Sequence, residues 1–156
     1  GAILRATLDA QRILAEKYGV ASDVWSVTSY TQLRREAHAT RRWNMLHPTE
    51  KPRVSFVEST LKGYKGPFVA ASDYVRALPE QLSPWVPGGV FALGTDGMGR
   101  SETREALRRH FEVDAPCIVV AALYQLHQEG KIDAKQITDA IKDFEIDPEK
   151  VDPYFA

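Results

Sequence analysis

The stretch GGVFALGTDGMGRSETREAL, Gly88 to Leu107, decides how the rest of the chain is read. An apolar run, Val90 to Leu93, leads into a loop holding Gly94, Asp96, Gly97 and Gly99. Ser101, Glu102 and Glu105 then open a helical pattern. Strand, glycine-rich loop and helix start together form the repeating unit of an α/β domain. The same arrangement cradles phosphates, because free N–H groups and the helix dipole attract anions at a helix N-terminus. As an anion site, the loop would use Gly97 and Gly99 for close backbone approach, Ser101 at the helix start, and Arg100 and Arg104 for charge. Against this, no lysine precedes Ser101 as in a P-loop, and the glycine spacing is not GxGxxG. Asp96 would also repel a phosphate. Ser101 can cap the helix unaided, and the two glutamates already offset the dipole. The turn reading is therefore preferred. Gly97, Gly99, Arg100, Ser101 and Arg104 are kept as a candidate anion or interface loop.

Working outward, the other segments alternate in the same way. Ile3, Ala6, Ala10, Ile13 and Leu14 recur at helical spacing, and Gly19 is a natural stop. SDVWSVTS, residues 22–29, is β-branched and aromatic and reads as a strand. Ser29 with Gln32 fits a capping box for the helix TQLRREAHATRRWNML. Pro48 and Pro52 bound a loop, and RVSFVESTLKG reads as a helix ending at Gly63. GPFVAASD is a second strand. YVRALPEQLSPW is a short helix broken by Pro79 and closed by Pro84, and GGVFALGT is a third strand. Ser101 caps a helix from Glu102 to about His110, and Asp114 caps the next, which stops at Gly130. Asp133 with Gln136 caps AKQITDAIKDF, and Asp147 before Pro148 marks a last turn.

The expected fold is a doubly wound α/β domain over residues 1–156, with a mainly parallel sheet and helices on both faces. Such a domain ordinarily starts with a strand, whereas this chain starts with a helix on a non-methionine residue. The chain therefore looks cut from something longer, with Gly1 ending a loop whose strand lies upstream.

Composition narrows the function. With 44% hydrophobic and 26% charged residues, the chain has an ordinary globular make-up. A formal net charge of -1 argues against a dedicated nucleic-acid binder. No segment reaches the roughly 20 apolar residues of a membrane span, and the N-terminus is no signal peptide, so a cytoplasmic location is expected. The single cysteine, Cys117, sits in an apolar run and reads as a buried, reduced thiol.

No catalytic constellation assembles. His38, His47, His110 and His127 include no i, i+4 pair for a metal. Arg34, Arg35, Arg41 and Arg42 flank one helix, and Arg100, Arg104, Arg108 and Arg109 line another. Both groups read as solvated faces, with a phosphate or subunit contact as the alternative. RWNMLHP packs Trp43, Asn44, Met45 and His47 into a loop or an interface, with Trp43 the candidate anchor and burial in the domain's own core the equal alternative.

The motifs LGTDGMGRSETREALRRHFEVDA, RWNMLHPTEKPRV and SDVWSVTSYTQL resemble the carboxyl-terminal domain of homodimeric bacterial pyruvate dehydrogenase decarboxylating components. GAILRATLDAQRILAEKYGV and the tail from Glu129 fit as well, so the resemblance covers essentially the whole chain. A looser resemblance reaches the last domain of transketolases. The resemblance implies a three-domain parent subunit, forming a homodimer, that uses thiamine diphosphate and Mg²⁺ to decarboxylate pyruvate. The acetyl group would pass to lipoyl groups on a dihydrolipoyl acetyltransferase. In that family the cofactor is held by the first two domains. The resemblance thus implies no catalytic, cofactor or metal residue in this chain, and no nucleic-acid or membrane partner. It implies a structural role in packing on the remaining domains and supporting the dimer. An independent module binding a phosphate-bearing effector is the rival reading.

Overall fold

A computed structural model describes residues 2–156. The expected role of Gly1 at the end of an upstream loop lies outside the described residues. The elements are α1 (Ile3–Tyr18), α2 (Tyr30–Leu46), α3 (Phe56–Leu61), β1 (Phe68–Ala71), α4 (Ala77–Glu80), β2 (Val90–Leu93), α5 (Arg104–His110), α6 (Ala115–Gln128) and α7 (Ala134–Asp143). A 3₁₀ turn, Ser83–Trp85, follows α4.

The α/β reading holds. β1 and β2 pair in parallel, with Phe68 opposite Val90 and Ala71 opposite Leu93. Side chains alternate between the faces of a strand, and the two faces feed two apolar clusters. Ala71 and Leu93 pack with Ile3, Ala6, Ala10 and Leu14 of α1 and with Val119 and Leu123 of α6. Phe68 and Val90 pack on the other side with Ala37 of α2, Val57 of α3, and Leu82, Trp85 and Val86. Helices therefore cover both faces. Val119 and Leu123 are fully buried, and burying an aliphatic side chain of this size is worth roughly 1.5–3 kcal/mol.

Three local expectations are corrected. Residues 22–29 form no strand; Ser22 to Thr28 run without a ladder partner among the described residues. Their β-branched composition suits a strand, but a strand needs a neighbour to take its N–H and C=O groups. Pro79 does not break α4 but lies inside its single turn, where no N–H is needed. Ser101 is not the cap of α5. The chain stays irregular to Thr103, whose hydroxyl accepts from the Ala106 N–H at 3.3 Å.

The remaining caps are local chemistry read correctly. Ser29 accepts from the Gln32 N–H at 3.2 Å, and Asp114 from Cys117 at 3.0 Å. The Gln136 side chain accepts from the Asp133 N–H at 3.4 Å. The Asp147 carboxylate accepts from the Glu149 N–H at 2.9 Å, closing the last turn. One box escaped the sequence reading: Ser55 and Glu58 cap α3 reciprocally.

Thr103→Ala should lower the unfolding free energy by about 1 kcal/mol, and Ser101→Ala should change it by less than about 0.5 kcal/mol. Urea denaturation of the two variants side by side checks the reassigned cap.

Candidate functional site

In an open α/β sheet, ligands bind outside the carboxyl ends of the strands. Here that end is formed by the loop after β1, residues 72–76, and the loop after β2, residues 94–101. The two loops are bound together. The Ser72 N–H donates to the Leu93 carbonyl at 3.1 Å, and the Thr95 N–H to the Tyr74 carbonyl at 2.9 Å. The Thr95 hydroxyl donates to the Asp73 carbonyl at 2.6 Å. Buried Ser72 accepts from the Tyr74 N–H at 3.0 Å.

Two glycines allow this approach. A Cβ on Gly94 would lie 2.5 Å from the Tyr74 carbonyl oxygen and 2.8 Å from the Arg76 nitrogen, both backbone atoms that cannot swing away. Gly97 has φ +95 and faces the backbone of Pro153, so the C-terminal tail closes over it. Gly99 has open space around it. The third glycine of the loop therefore answers to no close contact.

Asp96 holds the arrangement from inside. Its carboxylate accepts from the Arg76 side-chain Nε and from the Arg76 backbone N–H at 3.3 Å. Asp152 of the tail reaches the same guanidinium at 4.0 Å. The hydrogen bond to Asp96 is the main cause raising the Arg76 pKa, against the opposing effect of burial. Arg76, Asp96, Phe111, Glu112, Asp152 and Pro153 leave a cavity of about 20 Å³, room for about one water.

Of the five loop residues singled out from sequence, the structure brings Gly97 against the tail. Gly99, Arg100, Ser101 and Arg104 are exposed. Arg100 and Arg104 enter no ion pair among the described residues, whereas Arg109 pairs with Asp114 at 2.9 Å and Arg108 donates to the Ala2 carbonyl at 3.3 Å. Sequence reasoning missed Arg76 and Asp152 as partners of this loop. A half-buried aspartate in a glycine-rich turn needs a cation, but nothing local names which one.

His110 lies at the end of α5, with its Nε2 buried and without a hydrogen-bond partner. Burial is the main cause lowering its pKa from 6.5, followed by the charges of Arg100 and Lys150, with Glu112 opposing. Cys117 is buried as expected. Burial, then the hydrogen bond with Asp114, pushes its thiol pKa far up, so no reactive thiolate forms.

The RWNMLHP region is not a loop as expected but the last turn of α2, with His47 as its C-cap. Trp43 lies between the His47 ring, stacked at 4.3 Å, and the Arg53 guanidinium at 3.6 Å. The Asn44 side chain bonds the Arg53 N–H and carbonyl, each at 2.9 Å. Around this helix end Met45, Leu46, Val54 and Phe56 are exposed, and α2 buries only Ala37.

A family model described as the transketolase-like TK C-terminal domain matches residues 1–114. The pyruvate dehydrogenase E1 component of Escherichia coli K12 is 50% identical over 100% of this chain and 18% of its own length. The corresponding proteins of Cupriavidus necator and Pseudomonas aeruginosa are 48% and 46% identical over 98% of this chain, and 17% and 18% of theirs. The chain thus spans less than a fifth of the length of these relatives.

Gly94→Ala should cost about 1–3 kcal/mol, because the methyl meets backbone on two sides. Asp96→Ala should cost about 1–3 kcal/mol by leaving Arg76 without its main acceptor. Thermal unfolding of each variant reads both. For His110 the lowered pKa means that the folded state resists the proton, so the unfolded chain binds more protons just below pH 6.5. Its stabilising contribution is complete above 6.5 and is lost as pH falls through the folded-state pKa. His110→Gln should flatten the fall in stability below pH 6.5, seen as a smaller difference between melting temperatures at pH 7.5 and pH 5.5.

Proposed function

The chain belongs to the transketolase-like TK C-terminal domain family, and on that premise we propose that it is the carboxyl-terminal, non-cofactor domain of a pyruvate dehydrogenase subunit. In this reading the longer subunit forms a homodimer in the cytoplasm. It decarboxylates pyruvate with thiamine diphosphate and Mg²⁺ and passes acetyl to the lipoyl groups of a dihydrolipoyl acetyltransferase. The domain contributes packing and assembly, not chemistry.

One observation carries the structural role. The crevice at the carboxyl ends of the strands, where this class of fold takes ligands, is filled by the chain's own Arg76, Asp96 and tail. The residues there do not fit a magnesium diphosphate. The Asp96 carboxylate is already taken by Arg76, and the cavity beside them, about 20 Å³, has no room for a diphosphate. The Thr95 N–H already has a partner. The similarity to E1 components along the whole chain supports the choice of parent enzyme. The exposed apolar rim of α2 and α3 supports a packing role, because an apolar patch of this kind marks a contact surface.

A second reading draws on the unpaired Arg100 and Arg104: an independent module that holds a phosphate-bearing effector on the loop Gly97–Arg104. One titration separates the two. The assembly reading predicts no melting shift of residues 1–156 with inorganic phosphate or with thiamine diphosphate and Mg²⁺, and no CO₂ release from pyruvate. It also predicts that an E1 subunit lacking this segment loses dimer on gel filtration. Stabilisation of about 2.7 kcal/mol at a hundredfold excess of phosphate over its Kd would instead favour the effector module. A shortened subunit that keeps both dimer and activity would overturn the assembly role.

A further inference from the structure

Beyond α7 the chain turns back to the carboxyl ends of the strands, where Asp152 meets Arg76 and Pro153 meets Gly97. Among the described residues, the backbone of 147–155 is hydrogen-bonded only within the segment. The Lys150 N–H donates to the Asp147 carbonyl at 3.3 Å, and the Phe155 N–H to the Asp152 carbonyl at 2.9 Å. Three other contacts hold the segment down. Lys150 Nζ donates to the carbonyls of Arg109 at 3.3 Å and His110 at 2.7 Å, and pairs with Glu112 at 3.0 Å. The carbonyl end of a helix suits a cation. Asp152 reaches Arg76 at 4.0 Å, and Pro153 is buried. Both ion pairs are partly exposed, and pairs of that kind add little stability. Residues 147–155 are thus a weakly held strap, with Lys150 as its main fastening.

The fastening is built around a histidine. His110 gives its carbonyl to Lys150. Its ring lies edge-on to Phe111 at 4.8 Å, with a buried Nε2 that has no partner. A second proton would make both ring nitrogens donors and place a charge where Nε2 meets no acceptor. Three charged groups bear on the ring: Arg100 of the loop after β2, Lys150 of the strap, and Glu112 just past α5. The two cations disfavour the proton. Glu112 favours it, but is already paired with Lys150. The adjacent Arg109 is taken by Asp114. Coupling between two sites is reciprocal. Because Lys150 and Arg100 disfavour the proton, the proton disfavours Lys150 and Arg100 where they stand. Those cations belong to the two segments that meet at Gly97 and Pro153. If Glu112 turned to the charged ring, Lys150 would lose its carboxylate.

We propose that residues 147–155 are a strap over the carboxyl end of the sheet, fastened while His110 is neutral and released when its ring takes up a proton. Release frees Lys150 from α5 and Asp152 from Arg76. It bares Gly97 and leaves Arg76 to Asp96 alone. The domain beneath stays folded, because neither apolar cluster contains a residue of the strap. The strap is made of this chain's own residues and operates whatever the parent enzyme does.

NMR relaxation on residues 1–156, with the His110 ring followed in the same samples from pH 7.5 to pH 5.0, tests this. Backbone order parameters at Lys150, Val151, Asp152 and Tyr154 should fall from about 0.85 to below about 0.6 as the ring titrates. Val119 and Leu123 should stay rigid throughout. His110→Gln should keep the strap ordered across the whole range. His38, His47 and His127 remain in that variant, so any loosening they cause would persist. Lys150→Gln should free the strap already at pH 7.5. It should also raise the pH at which the His110 ring titrates, because one repelling cation is gone. That variant keeps the ring and gives the answer even if His110→Gln does not fold. The proposal fails if the ring titrates without loosening the strap, or if the loosening survives in His110→Gln. It fails equally if the ring titrates at the same pH in Lys150→Gln, or if Val119 and Leu123 lose order together with the strap.

Discussion

Two parallel strands side by side must send their chains out at the same end of the sheet. That constraint organises this molecule. The loops after β1 and β2 meet backbone to backbone at Gly94, where a Cβ would strike the Tyr74 carbonyl. Everything at that end is arranged around the contact. Thr95 bonds to Tyr74 and Asp73, Asp96 turns inward beneath Arg76, and the tail closes over Gly97. The same parallel pairing requires the β1–β2 connection to cross one face of the sheet, where Leu82, Trp85 and Val86 join one apolar cluster, while α1 and α6 build the cluster on the other.

The constraint also explains why a loop rich in glycine, ahead of a helix, is a poor phosphate cradle. A cradle needs free N–H groups converging on an empty space. Here Thr95 gives its N–H to the neighbouring loop, and the space is occupied by a carboxylate and a guanidinium. Asp96 would repel a phosphate, yet it suits Arg76, which it holds by side chain and backbone together. The glycines that suggest an anion cradle are, at two of three positions, responses to crowding by other parts of the chain.

Features that depend on neighbours in sequence were legible. Ser29 and Asp114 cap their helices through residues three positions away. The apolar spacing of α1 places Ile3, Ala6, Ala10 and Leu14 in the core as read. Cys117 is buried for the same reason. What was missed depends on distant partners. Ser101 looks as good a cap as Thr103, but the loop, whose Gly97 lies against Pro153 and Tyr154 far along the chain, stays irregular until Thr103 caps α5. Arg76 is twenty residues from Asp96, and no local pattern joins them. The site was therefore legible as a turn, but not as a clamp.

The run at 22–28 shows the limit most directly. A helix satisfies its hydrogen bonds within itself, so α7 forms wherever its own residues allow. A strand satisfies none of its own. Its composition states a willingness to pair, and only a neighbour decides whether pairing occurs. Val24, Trp25, Val27 and Thr28 carry that willingness as clearly as Phe68 to Ala71 do. The difference is that β1 has β2 beside it, whereas the run has side-chain contacts, Trp25 on Tyr64 and Gln11 on Ser22, and no ladder among the described residues. The sequence reading therefore overcounted the strands without misjudging the residues. Three runs suited to strands are present, and the described chain supplies a neighbour for two.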